Sequence, residues 1–257
     1  MTRLIINADD FGMSEGVTLG ILKAHKDGVL RSTTLMVGMP YATQAAELAK
    51  KCPDLHVGIH FTLSAGKPVL DPKDIPSLVD EKGYFHSQSW HKINKEKPIE
   101  EDELNYEEVY RELEAQFNRF VDIMGHLPDH IDSHHFTSSY PRVHEQAKKF
   151  AYQYDLPVRY THDYIESNYE KVEFSNRFYA GNVSIEYFTK DFDNMLSKEA
   201  FEIMSHPAFV DQFVMDNSSY NVQRCKELDV LCDPRLKEWI KENNVEMITF
   251  GDLKKIK

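Results

Sequence analysis

Cysteine is scarce in this chain. Cys52, Cys225 and Cys232 are the only three in 257 residues, an odd number with no CxxC spacing. Neither a disulfide framework nor a thiolate zinc knuckle is expected, and a reducing compartment fits best. Long apolar runs are also missing. The amino-terminal segment MTRLIINADDFG meets charged side chains after a few apolar positions, too few for a leader-peptide core or a spanning helix. The chain therefore reads as cytoplasmic, with no membrane partner. Positive charge is in deficit, 30 basic residues against 42 acidic ones for a net charge of −12. That balance opposes binding to a phosphate backbone unless the basic residues cluster. Lys148-Lys149 and Lys254-Lys255 are too short for that, so no nucleic-acid partner is expected. No internal repeat, low-complexity tract or linker divides the sequence, which leaves one domain over residues 1–257.

The apolar fraction of 41% is enough, at this length, to bury a sizeable core. Short runs rich in branched residues lie at 3–8, 31–37, 55–60, 128–133, 156–160, 201–205 and 245–249. Between them, segments at 14–26, 41–51, 101–124, 142–153, 184–197, 221–231 and 234–243 have helical period. That alternation predicts an α/β fold, a mostly parallel sheet covered by helices. Ser14 is the expected N-cap of the first helix and Gly28 its stop signal. Residues 64–99, broken by Pro68, Pro72, Pro76, Gly83 and Pro98, read as a long loop excursion, and 161–183 as a second irregular stretch. Periodicity does not choose between an open doubly wound sheet and an irregular barrel. In both, functional groups belong at the carboxyl ends of the strands.

Four of those ends carry polar groups of one chemical kind. Strand 3–8 runs into Asp9-Asp10, strand 55–60 ends at His60, strand 128–133 at His134-His135, and strand 201–205 at His206. Read alone, an Asp beside a Gly is a turn residue, and a single His among 12 is a surface or core residue. Their recurrence at strand ends, with HIDSHH (130–135) packing three imidazoles and a carboxylate into six residues, points to a site. One carboxylate and two imidazoles leave coordination positions open on a divalent cation, as catalytic metal sites require. Such a site also needs a base for water and an acid for the leaving group. One Asp of the pair can bind metal while its neighbour accepts the proton. His206, held extended by Pro207 behind it, is the candidate acid.

INADDFGMSEGVTLGILKAH, STTLMVGMP, VGIHFTL, HIDSHH, SHPAF and ELDVL, in that order along the chain, resemble the YdjC/ChbG-like carbohydrate deacetylases. The resemblance implies an irregular (β/α) barrel, TIM-barrel-like with mostly parallel strands and long loop insertions, often a homodimer. It also implies hydrolysis of the acetamide of an N-acetylated mono- or oligosaccharide. In that family's pattern the divalent metal, Mg or Zn, falls to Asp10, His60 and His134, the catalytic base to Asp9 and the catalytic acid to His206. Family members commonly read HIDSHHHVH, whereas Phe136 and Ser138 stand here at the last histidine positions. Phe136 is therefore a candidate substrate contact, an apolar face for a sugar ring. Arg159, at the end of strand 156–160, is positioned to meet a sugar hydroxyl, a carboxylate or Asp9. Two other readings stay open: a metal-dependent phosphoesterase, and a saccharide-binding protein whose chemistry has lapsed.

Overall fold

A computed structural model of the protein describes residues 1–159 and 168–255. Its strands are β1 (Arg3–Phe11), β2 (Ser32–Leu35), β3 (His56–Phe61), β4 (Ile131–Ser133), β5 (Glu173–Ser175), β6 (Ala200–Ser205) and β7 (Glu246–Met247). They form one sheet in the order β4-β3-β2-β1-β6-β5, and β7 pairs with the start of β1. Every pairing between these strands is parallel. The sheet curls into a half-barrel, so the irregular (β/α) barrel is the architecture the chain adopts. Among the described residues no helix is long and apolar enough to cross a membrane.

The helices are α1 (Glu15–Lys26), α2 (Ala42–Ala49), α3 (Gln88–Asn94), α4 (Tyr106–Met124), α5 (Pro141–Tyr154), α6 (Glu186–Thr189), α7 (Gln212–Asn217), α8 (Gln223–Leu231) and α9 (Pro234–Glu242). Ser14 caps α1 as expected, its side chain accepting from the Val17 N–H, a contact worth about 1 kcal/mol. In α4, Val109, Leu113, Phe117, Phe120 and Met124 follow the 3.6-residue period and are all buried. Asn105 caps its start, and Gly125, at φ +84°, ends it in the left-handed conformation glycine adopts without strain.

Four expectations fail for identifiable reasons. The strand expected at 156–160 is reduced, among the described residues, to a bridge between Val158 and Ile131; Tyr160 lies outside them. Pro157 accepts from the Ile131 N–H but has no N–H of its own to extend the ladder. The sixth sheet position goes instead to β5, inside the stretch 161–183 read as irregular. The helix expected over 184–197 shrinks to α6 because Asp191 and Asn194 turn left-handed, at φ +47° and +54°. The excursion 64–99 does hold a regular element, α3, capped by the Ser87 side chain on the Trp90 N–H.

The carboxyl half of β1 departs most informatively from the sequence reading. The strand does not stop at residue 8 but continues to Phe11 through a bulge. Ala8 pairs with Thr33 and Phe11 with Leu35, so Asp9 and Asp10 together oppose the single residue Thr34. Asp10 takes φ +71°, a left-handed conformation that Asp tolerates better than most residues. A regular strand would send neighbouring side chains to opposite faces. The bulge cancels that alternation, and both carboxylates reach one cavity.

Candidate active site

The cavity, about 780 Å³, opens at the carboxyl edge of the sheet and is lined by Asp9, Asp10, His60, His134 and His206 among others. The three residues read as metal ligands converge from β1, β3 and the end of β4. Asp10 Oδ1 lies 3.4 Å from His60 Nε2 and 2.9 Å from His134 Nδ1. All three donor atoms fall within 4.8 Å of one another, and all three residues are buried. Ligand bonds of about 2 Å place adjacent donors about 3 Å apart, so this donor set fits a divalent cation. Its chemistry fits too, with one carboxylate oxygen and two imidazole nitrogens.

The neighbours of His60 fix which nitrogen it presents. Nδ1 lies 2.6 Å from Asp132 Oδ1, which accepts its proton and leaves Nε2 toward Asp10. Asp132 is held in turn by the Thr34 hydroxyl at 3.0 Å and by Arg159 Nη1 at 3.0 Å. Burial opposes protonation of His60, but the Asp132 and Asp10 carboxylates outweigh it and raise its pKa to about 10. Asp9, His60 and Asp132 also form a three-donor group. Since Asp132 takes the Nδ1 proton and Arg159 holds both carboxylates, that group reads as an ion-pair web behind the ligands.

Asp9 meets Arg159. Burial works against its ionisation, yet the Arg159 guanidinium prevails and lowers the pKa to about 2. Asn7 donates a further hydrogen bond to Asp9 Oδ1 at 2.9 Å. Arg159 is itself buried and also donates to Glu202 Oε1 at 2.6 Å. Of the partners open to it in the sequence, carboxylates including Asp9 are the ones it has. Among the described residues it is not part of the cavity lining, and its donors meet Asp9, Asp132 and Glu202.

His206 lines the cavity beyond Asp10, with Nδ1 buried and lacking a hydrogen-bond partner among the described residues. Burial lowers its pKa to about 4. Phe136 lines the cavity as well, in a sharp turn where His135 and Phe136 both take left-handed φ, +55° and +57°. That turn sends His134 toward Asp10, while His135 Nδ1 meets the Ser64 hydroxyl at 3.0 Å. His130, the first imidazole of HIDSHH, is not in the site; it stacks on Phe250 with centroids 3.7 Å apart.

Sequence reasoning missed Arg224, whose Nη2 donates to Asp10 Oδ2 at 2.7 Å. The guanidinium helps hold Asp10 ionised, its pKa well below the usual carboxylate range despite complete burial. Glu227, quoted above only within ELDVL, accepts from the His206 backbone N–H and the Tyr220 hydroxyl. Their spacing was the available signal, since residues three apart on a helix share a face. Asp132 stood in plain view as the carboxylate of HIDSHH, on β4 just before the turn that bears His134.

A (β/α) barrel with a buried Asp-His-His group at its carboxyl edge is the class that fold and site define. The chain matches the YdjC-like protein family over residues 3–242 and belongs to it. It is 39% identical over 260 residues to the carbohydrate deacetylase of Brevibacillus brevis, covering 98% of this chain and 99% of that protein. It is 37% identical over 261 residues to the chitooligosaccharide deacetylase of Proteus mirabilis, covering 97% and 98%. A solved structure from Enterococcus faecalis V583, whose name proposes cellobiose-phosphate cleavage, is 36% identical with a TM-score of 0.86 and 99% of each chain covered.

Proposed function

We propose that this protein is a metal-dependent hydrolase that removes the acetyl group from an N-acetylated sugar or short oligosaccharide, releasing acetate and a free amino sugar. The observation that carries the reading is the convergence of Asp10, His60 and His134 on one point of the cavity wall, beside Asp9 and His206. Relatives named for carbohydrate and chitooligosaccharide deacetylation, aligned along nearly the whole chain, support it.

In this reading Asp10, His60 and His134 hold one divalent ion. When bound, such an ion polarises an amide carbonyl and lowers the pKa of water to about 7 in the most favourable zinc sites. The remaining work belongs to the chain. Asp9, fixed by Arg159, accepts the proton of the attacking water. Its low pKa makes it a weak base, adequate only for water that is already acidic. His206 delivers the proton that lets the sugar nitrogen leave. Its imidazole is neutral in the free site; it takes a proton from solvent as negative charge builds on the substrate opposite it, and Asp9 returns to solvent the proton it accepted from water. Oxygen and imidazole donors accept magnesium or zinc, and affinity alone favours zinc.

The phosphoesterase reading has less support, because two-metal phosphoryl chemistry calls for more free carboxylates than this cavity presents. Nor does anything favour lapsed chemistry, since base, ligands and acid are all present. A homodimer, implied by the family resemblance, belongs to the proposal, and sedimentation of the purified protein tests it. The function itself is tested by assaying acetate and phosphate release across N-acetylated and phosphorylated mono- and disaccharides. Phosphate without acetate would overturn it.

A further inference from the structure

Helix α8 carries two buried charged residues, Arg224 and Glu227, that reach different halves of the site. Arg224 is anchored by its own Nε, which donates to the Tyr220 carbonyl at 2.7 Å, and reaches Asp10 Oδ2 through Nη2 at 2.7 Å. With Oδ2 taken, Oδ1 is the oxygen left facing His60 and His134. Glu227 is fully buried. One of its oxygens accepts from the His206 N–H, the other from the Tyr220 hydroxyl. That second oxygen lies 3.9 Å from His206 Nδ1, beside the ring but too far for a hydrogen bond, and burial pushes the pKa of the Glu227 carboxyl up to about 8. Across Pro207, the Ala208 N–H donates to the Arg224 carbonyl at 3.3 Å, so α8 pins both sides of the loop that bears His206.

We propose that Arg224 and Glu227, one turn apart on α8, are positioning residues. Arg224 turns Asp10 so that a single carboxylate oxygen addresses the metal position, and Glu227 fixes the direction of the His206 imidazole. The inference rests on the assignment of Asp10 as ligand and His206 as acid. Asp10 sits at φ +71° in the β1 bulge, and the Arg224 contact holds its side chain in one direction from there. The charges facing His206 come from β1 (Asp9, Asp10), β3 (His60) and α8 (Arg224), with the Glu227 carboxyl 3.9 Å from Nδ1 and the Tyr179 and Tyr220 rings beside it. Glu227 is the carboxyl group nearest its unpaired nitrogen in that set to have a contact of its own with the His206 backbone.

The test uses the full chain stripped of metal and titrated with zinc in a calorimeter. Asp10→Ala is the control for the ligand assignment. Arg224→Gln, folded by circular dichroism, should bind zinc about 10- to 100-fold more weakly than wild type, the range for loss of a residue that orients a ligand. Arg224→Lys should fall between. Wild-type or tighter affinity in Arg224→Gln overturns the Arg224 half, as does failure of both variants to fold, which would make the residue structural. Glu227→Gln keeps an acceptor for the backbone N–H, so zinc affinity should be unchanged. With the carboxyl that receives the Tyr220 hydroxyl replaced by an amide, kcat should fall about tenfold or more with KM within about twofold. A kcat identical to wild type, or a KM that rises as much as kcat falls, overturns the Glu227 half. Undiminished zinc binding by Asp10→Ala would instead sink the underlying metal reading, so the two failures are told apart.

Discussion

Arg159 grips Asp9 with both arms of its guanidinium, Nη1 to Oδ2 at 2.7 Å and Nη2 to Oδ1 at 2.8 Å. The two residues are 150 positions apart in the chain. A carboxylate held this way stays ionised through the physiological range and cannot rotate, which suits a base that must meet water at one fixed place. Asp9→Asn keeps the shape and removes the charge. It should bind zinc within about threefold of wild type while kcat falls about a hundred- to ten-thousand-fold, the span of general-base effects. Metal content measured beside acetate release checks this, and normal turnover would remove Asp9 from the mechanism.

Metal binding should depend on pH in a direction set by His60. Its folded pKa is raised, to about 10, so in the metal-free protein the ring is protonated at neutral pH and a cation must expel that proton. Observed affinity should rise by about tenfold per pH unit between about pH 7 and 9, with close to one proton released per ion. Calorimetry in buffers of different ionisation enthalpy reads both. The stability sign agrees. The extra stability that protonated His60 gives the metal-free fold is complete below its unfolded pKa of about 6.5 and is lost as pH rises through about 10. The gap in Tm between metal-bound and metal-free protein should therefore widen with pH.

Gly58 lies on β3 two residues before His60, where a Cβ would come within 2.5 Å of His130 Nδ1 and 2.7 Å of the His130 carbonyl oxygen. His130 is wholly buried and stacked on Phe250, so it has nowhere to go. Gly58→Ala should destabilise the fold by about 1 to 3 kcal/mol, the usual cost of overpacking, as read by urea denaturation. An unchanged midpoint would mean that the β3–β4 contact is looser than this spacing implies.

Phe136 offers the cavity an apolar wall from a strained turn, and strain of this kind persists where a site needs it. Phe136→Ala should raise KM for an N-acetylated saccharide several-fold and leave kcat within about twofold. An equal loss in both would mean that the turn supports His134 rather than the substrate.

The sequence made the candidate ligands legible and hid most of what holds them. Asp10, His60, His134 and His206 each sit where an apolar run gives out, and the carboxyl-edge rule for α/β folds turns that position into a prediction. Their supports carry a weaker marker, for Arg224 and Glu227 only a three-residue spacing on one helix. Arg224 meets Asp10 across 214 positions, and an isolated arginine on a helix looks the same whether it faces solvent or a buried carboxylate. The bulge at Asp9-Asp10 was invisible for another reason. It is a register mismatch between β1 and β2, a property of the pair that neither strand shows alone. The alternation of apolar runs and helical segments was a better guide, except where Pro157 and left-handed Asp191 and Asn194 cut predicted elements short.

The most direct test strips the protein of metal with a chelator, confirms that it remains folded, and follows acetate release from N-acetylglucosamine oligomers before and after one equivalent of zinc or magnesium. The expected result is no acetate from the stripped protein and recovery with the added ion in wild type, but in neither His60→Ala nor His134→Ala. Acetate release undiminished by metal removal, or recovery that persists without those histidines, would contradict the proposal that Asp10, His60 and His134 hold the ion on which the reaction depends.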